Sequence, residues 1–121
     1  MARRYSKIIE EYNRKRELVF SVLKERLLSI EGRKIKPYNF GVARDGGFCV
    51  SMRGDGASEE DLRKLQEISK KEKFPIYLAT EGRCYIVKPE EIKTYEGEKA
   101  GRFRELISEE ISRFHWKLIS P

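Results

Sequence analysis

Residues 48–80 decide the fold: Phe48-Cys49-Val50-Ser51-Met52-Arg53, then Gly54-Asp55-Gly56-Ala57-Ser58-Glu59-Glu60-Asp61, closing on Phe74-Pro75-Ile76-Tyr77-Leu78-Ala79-Thr80. An apolar run, a glycine turn, an acid-capped segment and a second apolar run follow one another at the spacing of a strand–helix–strand crossover. Alternation along the first run places Phe48, Val50 and Met52 on one side and Cys49, Ser51 and Arg53 on the other. Ser58 reads as an N-cap, with Glu59, Glu60 and Asp61 in the first helical turn, where negative charge is favoured. The helix carries Leu62, Leu65 and Ile68 to about Lys71 and finishes on Lys70, Lys71 and Lys73. Such a crossover predicts a parallel strand pair inside a mixed sheet backed by helices.

Upstream, Asp45-Gly46-Gly47 separates apolar runs 40–44 and 48–53. Asp-Gly at that place predicts a hairpin closed by a primed turn. Residues 34–38 read as a short strand, kept to an edge by Pro37. Residues 3–30 read as one long helix ending at Gly32. Tyr5, Ile9, Tyr12, Val19, Leu23, Leu27 and Ile30 recur at three- and four-residue steps, and Ile8 and Val22 widen the stripe. Arg16 interrupts that stripe, while Arg3, Arg4, Lys7, Arg14 and Lys15 are placed opposite it together with Glu10 and Glu11.

Downstream, the run 74–80 turns through Glu81-Gly82-Arg83 into a strand over 84–87. Pro89-Glu90-Glu91 reads as the start of a short helical turn, and 94–99 as a polar loop. Phe103, Ile107, Ile111, Phe114 and Leu118 mark a C-terminal amphipathic helix over 99–119. The expectation is a single α/β (α+β) domain over 1–121. One mixed sheet of four to five strands is flanked by a long N-terminal helix (1–32), a crossover helix within 33–92 and a C-terminal helix.

The chain of 121 residues carries 26 Lys+Arg against 20 Asp+Glu, a formal net charge of +6. Residues 1–36 hold eleven basic side chains and five Glu, so the whole surplus falls there and the remainder is neutral. A local positive field favours an anionic partner, most often nucleic acid, with salt-dependent affinity. The competing reading is a Lys/Glu-rich surface of ion-pair networks, as in heat-tolerant proteins. No run of 18 apolar residues is present, which excludes a membrane-spanning helix. Lys7, Glu10 and Glu11 fall where a signal peptide needs its apolar stretch, so the sequence predicts a cytoplasmic protein.

No decisive catalytic motif emerges. Cys49 and Cys84 fall on predicted strands and read as small buried hydrophobes, a disulfide between them being the alternative. His115 is the only histidine and reads as a surface or C-capping residue. Gly54-Asp55-Gly56 before a helix start can hold phosphate, yet it lacks both the GxxxxGK[ST] and GxGxxG spacings. Glu17, Asp45 and Asp55 are the carboxylates available for Mg2+-assisted hydrolysis, with Glu10 beside them.

The order of elements over residues 14–92 resembles archaeal Holliday-junction resolvases and the wider restriction-endonuclease-like fold. The resemblance rests on Phe48–Leu65, on Phe74–Ala79, on Lys88-Pro89-Glu90-Glu91 and on Arg16-Glu17-Leu18. It places the family's E-x-K on Ser51-Met52-Arg53, so that a serine stands for the metal-binding carboxylate and an arginine for the lysine. Serine supplies no charged Mg2+ ligand, and arginine does not act as a base. Archaeal tRNA-splicing endonucleases have a similar element order, but His115 lies too late to match their catalytic set. The resemblance therefore implies a non-cleaving relative that keeps DNA or RNA binding.

The leading expectation is a small nucleic-acid-binding protein, homodimeric through its long amphipathic helices and without a cofactor. Phosphate contacts are assigned to Arg3, Arg4, Lys7, Arg14, Lys15, Arg33, Lys34 and Lys36, with Arg53 in the same groove. The alternatives are a Mg2+-dependent nuclease using Glu17, Asp45 and Asp55, and an adaptor whose basic helix meets an acidic protein.

Overall fold

The computed structural model describes residues 2–31 and 39–119, and the side chains of 6–24 and 39–118. The elements are α1 (Ala2–Glu31), β1 (Phe40–Val42), β2 (Phe48–Ser51), α2 (Glu59–Glu72), β3 (Ile76–Ala79), β4 (Arg83–Val87), β5 (Ile92–Glu96) and α3 (Gly97–Ile119). The strands form one sheet in the order β1-β2-β3-β4-β5. β2 and β3 are parallel, joined by α2, and every other pairing is antiparallel. The expected class, a mixed sheet flanked by three helices, is the one observed.

The two faces of the sheet are built from different residues. On one, Phe40, Phe48, Val50, Ile76, Leu78 and Val87 pack beneath Tyr12, Val19 and Leu23 of α1 and Leu62 and Leu65 of α2. On the other, Cys49, Ala79 and Cys84 meet Ala100, Ile107 and Ile111 of α3. These small strand residues let α3 come close. A Cβ on Gly41 would stand 3.0 Å from the Ile111 Cα, so β1 and α3 touch almost backbone to backbone.

Four local expectations change. The β1–β2 hairpin is closed by bonds from the Gly46 N–H to the Ala43 carbonyl and from the Ala43 N–H to the Gly47 carbonyl. Only Gly46 within it has positive φ (89°), so Asp45 is not in the conformation a primed turn needs. This is a three-residue loop with one left-handed glycine. Residues 89–91 form a tight turn closed from Lys88 N–H to the Glu91 carbonyl, not a helical one. The expected polar loop at 94–99 is instead the end of strand β5 and the start of α3. His115 is neither free nor a cap: its Nε2–H donates to the Phe40 carbonyl at 2.7 Å, fastening α3 to β1. The expected strand at 34–38 and the helix end at Gly32 lie outside the described residues.

α1 fixes the orientation of the rest. Its 30 residues span about 45 Å, against roughly 17 Å for a five-residue strand. The Lys15 ammonium donates to the Gly46 carbonyl at the hairpin, and five residues later Phe20 packs edge-on against Phe40, 6.4 Å between ring centres. Arg14 pairs with Glu72 at the C-terminus of α2. The sheet therefore has a hairpin end, holding the β1–β2 turn, the last turn of α2 and the first half of α1. It also has a loop end, where residues 52–58 and 80–83 meet.

Candidate functional site

The loop end is where parallel strands most often open a ligand crevice, beyond their carboxyl ends. Here that crevice is filled. The Glu81 N–H donates to the Gly54 carbonyl at 2.9 Å, and the Ala57 N–H donates to the Tyr85 hydroxyl at 3.1 Å. A Cβ on Gly82 would lie 2.7 Å from the Asp55 carbonyl oxygen, so the two loops are in direct contact. Buried Thr80 accepts the Arg83 N–H at 3.0 Å, and Arg104 donates to the carbonyls of Thr80 and Glu81. The Gly54-Asp55-Gly56 turn is thus a packed linker before a capped helix. Ser58 accepts the Asp61 N–H as expected.

At the position matched to E-x-K, the Ser51 carbonyl accepts from the Asn39 side chain, Met52 is buried and Arg53 is exposed. Asp45 and Asp55 stand at opposite ends of β2, and Glu17 lies exposed on α1. Among the described residues, no group of three or more His, Cys, Asp or Glu is placed to hold a metal ion.

Asp45 works within the hairpin. One carboxylate oxygen accepts the Gly47 N–H at 2.8 Å, and the other accepts the Tyr77 hydroxyl. Burial, this hydrogen bond and the negative charge of Asp45 together hold the Tyr77 phenol well above its usual range. A Cβ on Gly47 would fall 2.4 Å from the Tyr77 ring, so the glycine is what lets the ring lie against the turn.

The thiols are inert by the same logic. Burial first, then Glu110 and Asp45, push Cys49 up to about 12, and burial raises Cys84. Both are free; β3 lies between their strands, which puts them about two strand spacings, or ~9.5 Å, apart. In a cleft of about 230 Å³ between α1, β1 and α3, Arg44 and Arg113 both reach Glu110 and Lys15 reaches Glu11, while Lys117 on its rim makes no ion pair among the described residues.

The sequence-assigned cations divide. Lys15 leaves the phosphate-contacting set, because it is 6% exposed and spends its ammonium on Glu11, the Gly46 carbonyl and the face of Phe74. It faces the core, not the opposite arc. Arg14 is exposed but bridged to Glu72. Lys7 is exposed on the hairpin-end half of α1, whereas Arg53 follows the C-terminus of β2, so one groove does not contain both. Arg3 and Arg4 stand at the start of α1, their side chains outside those described, and Arg33, Lys34 and Lys36 lie outside the described residues.

What sequence reasoning missed is the separation of charge along α2. Its first turn carries Glu59, Glu60 and Asp61 and points to the loop end, while Lys70, Lys71 and the C-capping Lys73 sit at the hairpin end beside Arg14. The neutral total of residues 37–121 conceals that separation. Among the described residues, Lys7, Lys70, Lys71 and Lys73 have no carboxylate within ion-pair distance. The available signal was the lysine-rich end of α2, which the sequence shows only as a helix stop.

Neither a family model, nor a curated protein, nor a solved structure matches this chain. The fold and site define a three-layer α+β protein with a lysine-rich end and, at the other, a crevice closed by packed loops. Among the described residues no helix is long and apolar enough to cross a membrane.

Proposed function

We propose that this chain binds DNA or RNA through its hairpin end, by contacts to the phosphate backbone and without cleaving it. The carrying observation is that Lys7 of α1 and Lys70, Lys71 and Lys73 of α2, distant in sequence, gather at one end with no carboxylate partner. Lysine ammoniums spread over two helices suit a polyanion with charges repeated along its length, and such contacts carry affinity without sequence preference. The resemblance to resolvases, with serine in place of the metal-binding carboxylate, supports binding without hydrolysis. The nuclease reading with Mg2+ draws no support from Glu17, Asp45 and Asp55, which the fold keeps apart.

Titrating labelled duplex and single-stranded DNA and RNA across a salt series tests this reading. Four to six neutralised phosphates give a log K against log salt slope of about −3 to −5. A flat slope, or no binding at low salt, contradicts it.

A further inference from the structure

The outward face of α3 carries two large exposed apolar side chains, Leu106 at 58% and Trp116 at 69% exposure. Around them the charges are ordered. Glu105 and Glu109 come first along the helix, and Arg113 and Lys117 follow them toward its C-terminus. Counted from Ile111, Glu109 and Arg113 lie two positions to either side, Leu106 and Trp116 five, and Glu105 and Lys117 six. At 100° per residue these six fall within an arc of about 120°, turned away from the Ile107–Ile111 stripe that packs on the sheet, with Arg113 and Lys117 at its border with the cleft toward α1.

We propose that a second copy of this chain covers this face, α3 pairing antiparallel with its counterpart about a two-fold axis at the level of Ile111. A two-fold pairing brings residue i of one helix opposite residue j of the other, and j opposite i. Here Leu106 meets Trp116 of the second copy, Glu109 meets Arg113 and Glu105 meets Lys117, each contact occurring twice. No like charges face each other between Glu105 and Lys117, because Glu110 falls opposite Ser112. Antiparallel helices also set opposed dipoles side by side. A parallel pairing of the same face instead puts Glu on Glu and Arg on Arg, which selects the antiparallel arrangement. The only ion pair these four charged residues make among the described ones is Arg113 with Glu110 at 3.7 Å, so Glu105 and Lys117 are free to exchange partners. This proposal does not rest on nucleic-acid binding.

Sedimentation equilibrium on the full chain, up to millimolar protein, tests it. The expected result is a dimer that Trp116→Glu converts to monomer while circular dichroism and the melting temperature stay those of the wild type. Glu105→Lys alone, which sets Lys against Lys117 twice, weakens dimerisation at least severalfold. Adding Lys117→Glu to it restores the wild-type constant within about twofold. A monomer at every concentration leaves the face to some other partner and overturns the proposal. So does a dimer indifferent to Trp116→Glu, or a double exchange that fails to recover what the single one loses.

Discussion

At the loop end, Arg104 is held by two carbonyls, Arg83 by Glu96, and the Ala57 amide by Tyr85. At the hairpin end, Lys7, Lys70, Lys71 and Lys73 share an end of the sheet with a turn whose Asp45 carboxylate is engaged by the Gly47 N–H and the Tyr77 hydroxyl. Both ends carry cations. Arg83 and Arg104 at the loop end spend their charge on the chain's own acid and carbonyls, whereas Lys7, Lys70, Lys71 and Lys73 have no carboxylate within ion-pair distance among the described residues. Net charge by segment does not distinguish the two.

The largest expected effect comes from inverting that surplus. Changing Lys7, Lys70 and Lys71 to Glu lowers affinity for a duplex at low salt by a hundredfold or more, whereas Arg53→Gln at the loop end changes it less than twofold. Titration of both variants side by side checks this, and equal losses would erase the distinction between the ends. Gly82→Val strikes the other side of the comparison. Its Cβ meets the Asp55 carbonyl at 2.7 Å, so the packed loops must part, at a cost of about 2 kcal/mol in denaturant unfolding. The folded fraction should bind nucleic acid as the wild type does.

Smaller effects probe the hairpin side. Cys49 keeps its proton up to about 12 in the folded chain, against 9.0 unperturbed. The native state therefore binds the proton more tightly. That stabilisation is complete below pH 9 and is lost as pH climbs toward 12, at about 1 kcal/mol per pH unit. The raised Tyr77 phenol acts in the same direction. Chemical unfolding at pH 8, 9 and 10 should show stability falling only above 9, and Cys49→Ser should flatten the decline. Tyr77→Phe removes the hydroxyl from Asp45 and is expected to cost about 0.5–1 kcal/mol, read as a shift in denaturation midpoint.

Much of this architecture was legible because burial imposes periodicity. Phe48, Val50 and Met52 alternate with Cys49 as a two-faced strand requires, and Ser58 caps α2 through the atom its position implied. β5 was missed for a physical reason. It is an edge strand whose Lys93, Thr94 and Glu96 are exposed, so its stability comes from backbone pairing with β4, which hydropathy does not register. Lys15 was misplaced because a lysine was assumed to seek solvent, whereas its stem packs inward and its ammonium finds Glu11 and a carbonyl. The candidate site was half legible. Lys7 and the start of α1 stood out by charge counting, but the α2 lysines join them only through the fold.

Backbone-amide NMR of the chain titrated with a short oligonucleotide reports directly which end is occupied. The account predicts progressive shifts at Lys7, Gly46 and Lys70–Lys73, with Gly54–Ala57 and Gly82 unmoved. Shifts confined to the loop end, or none at saturating oligonucleotide in low salt, would contradict it.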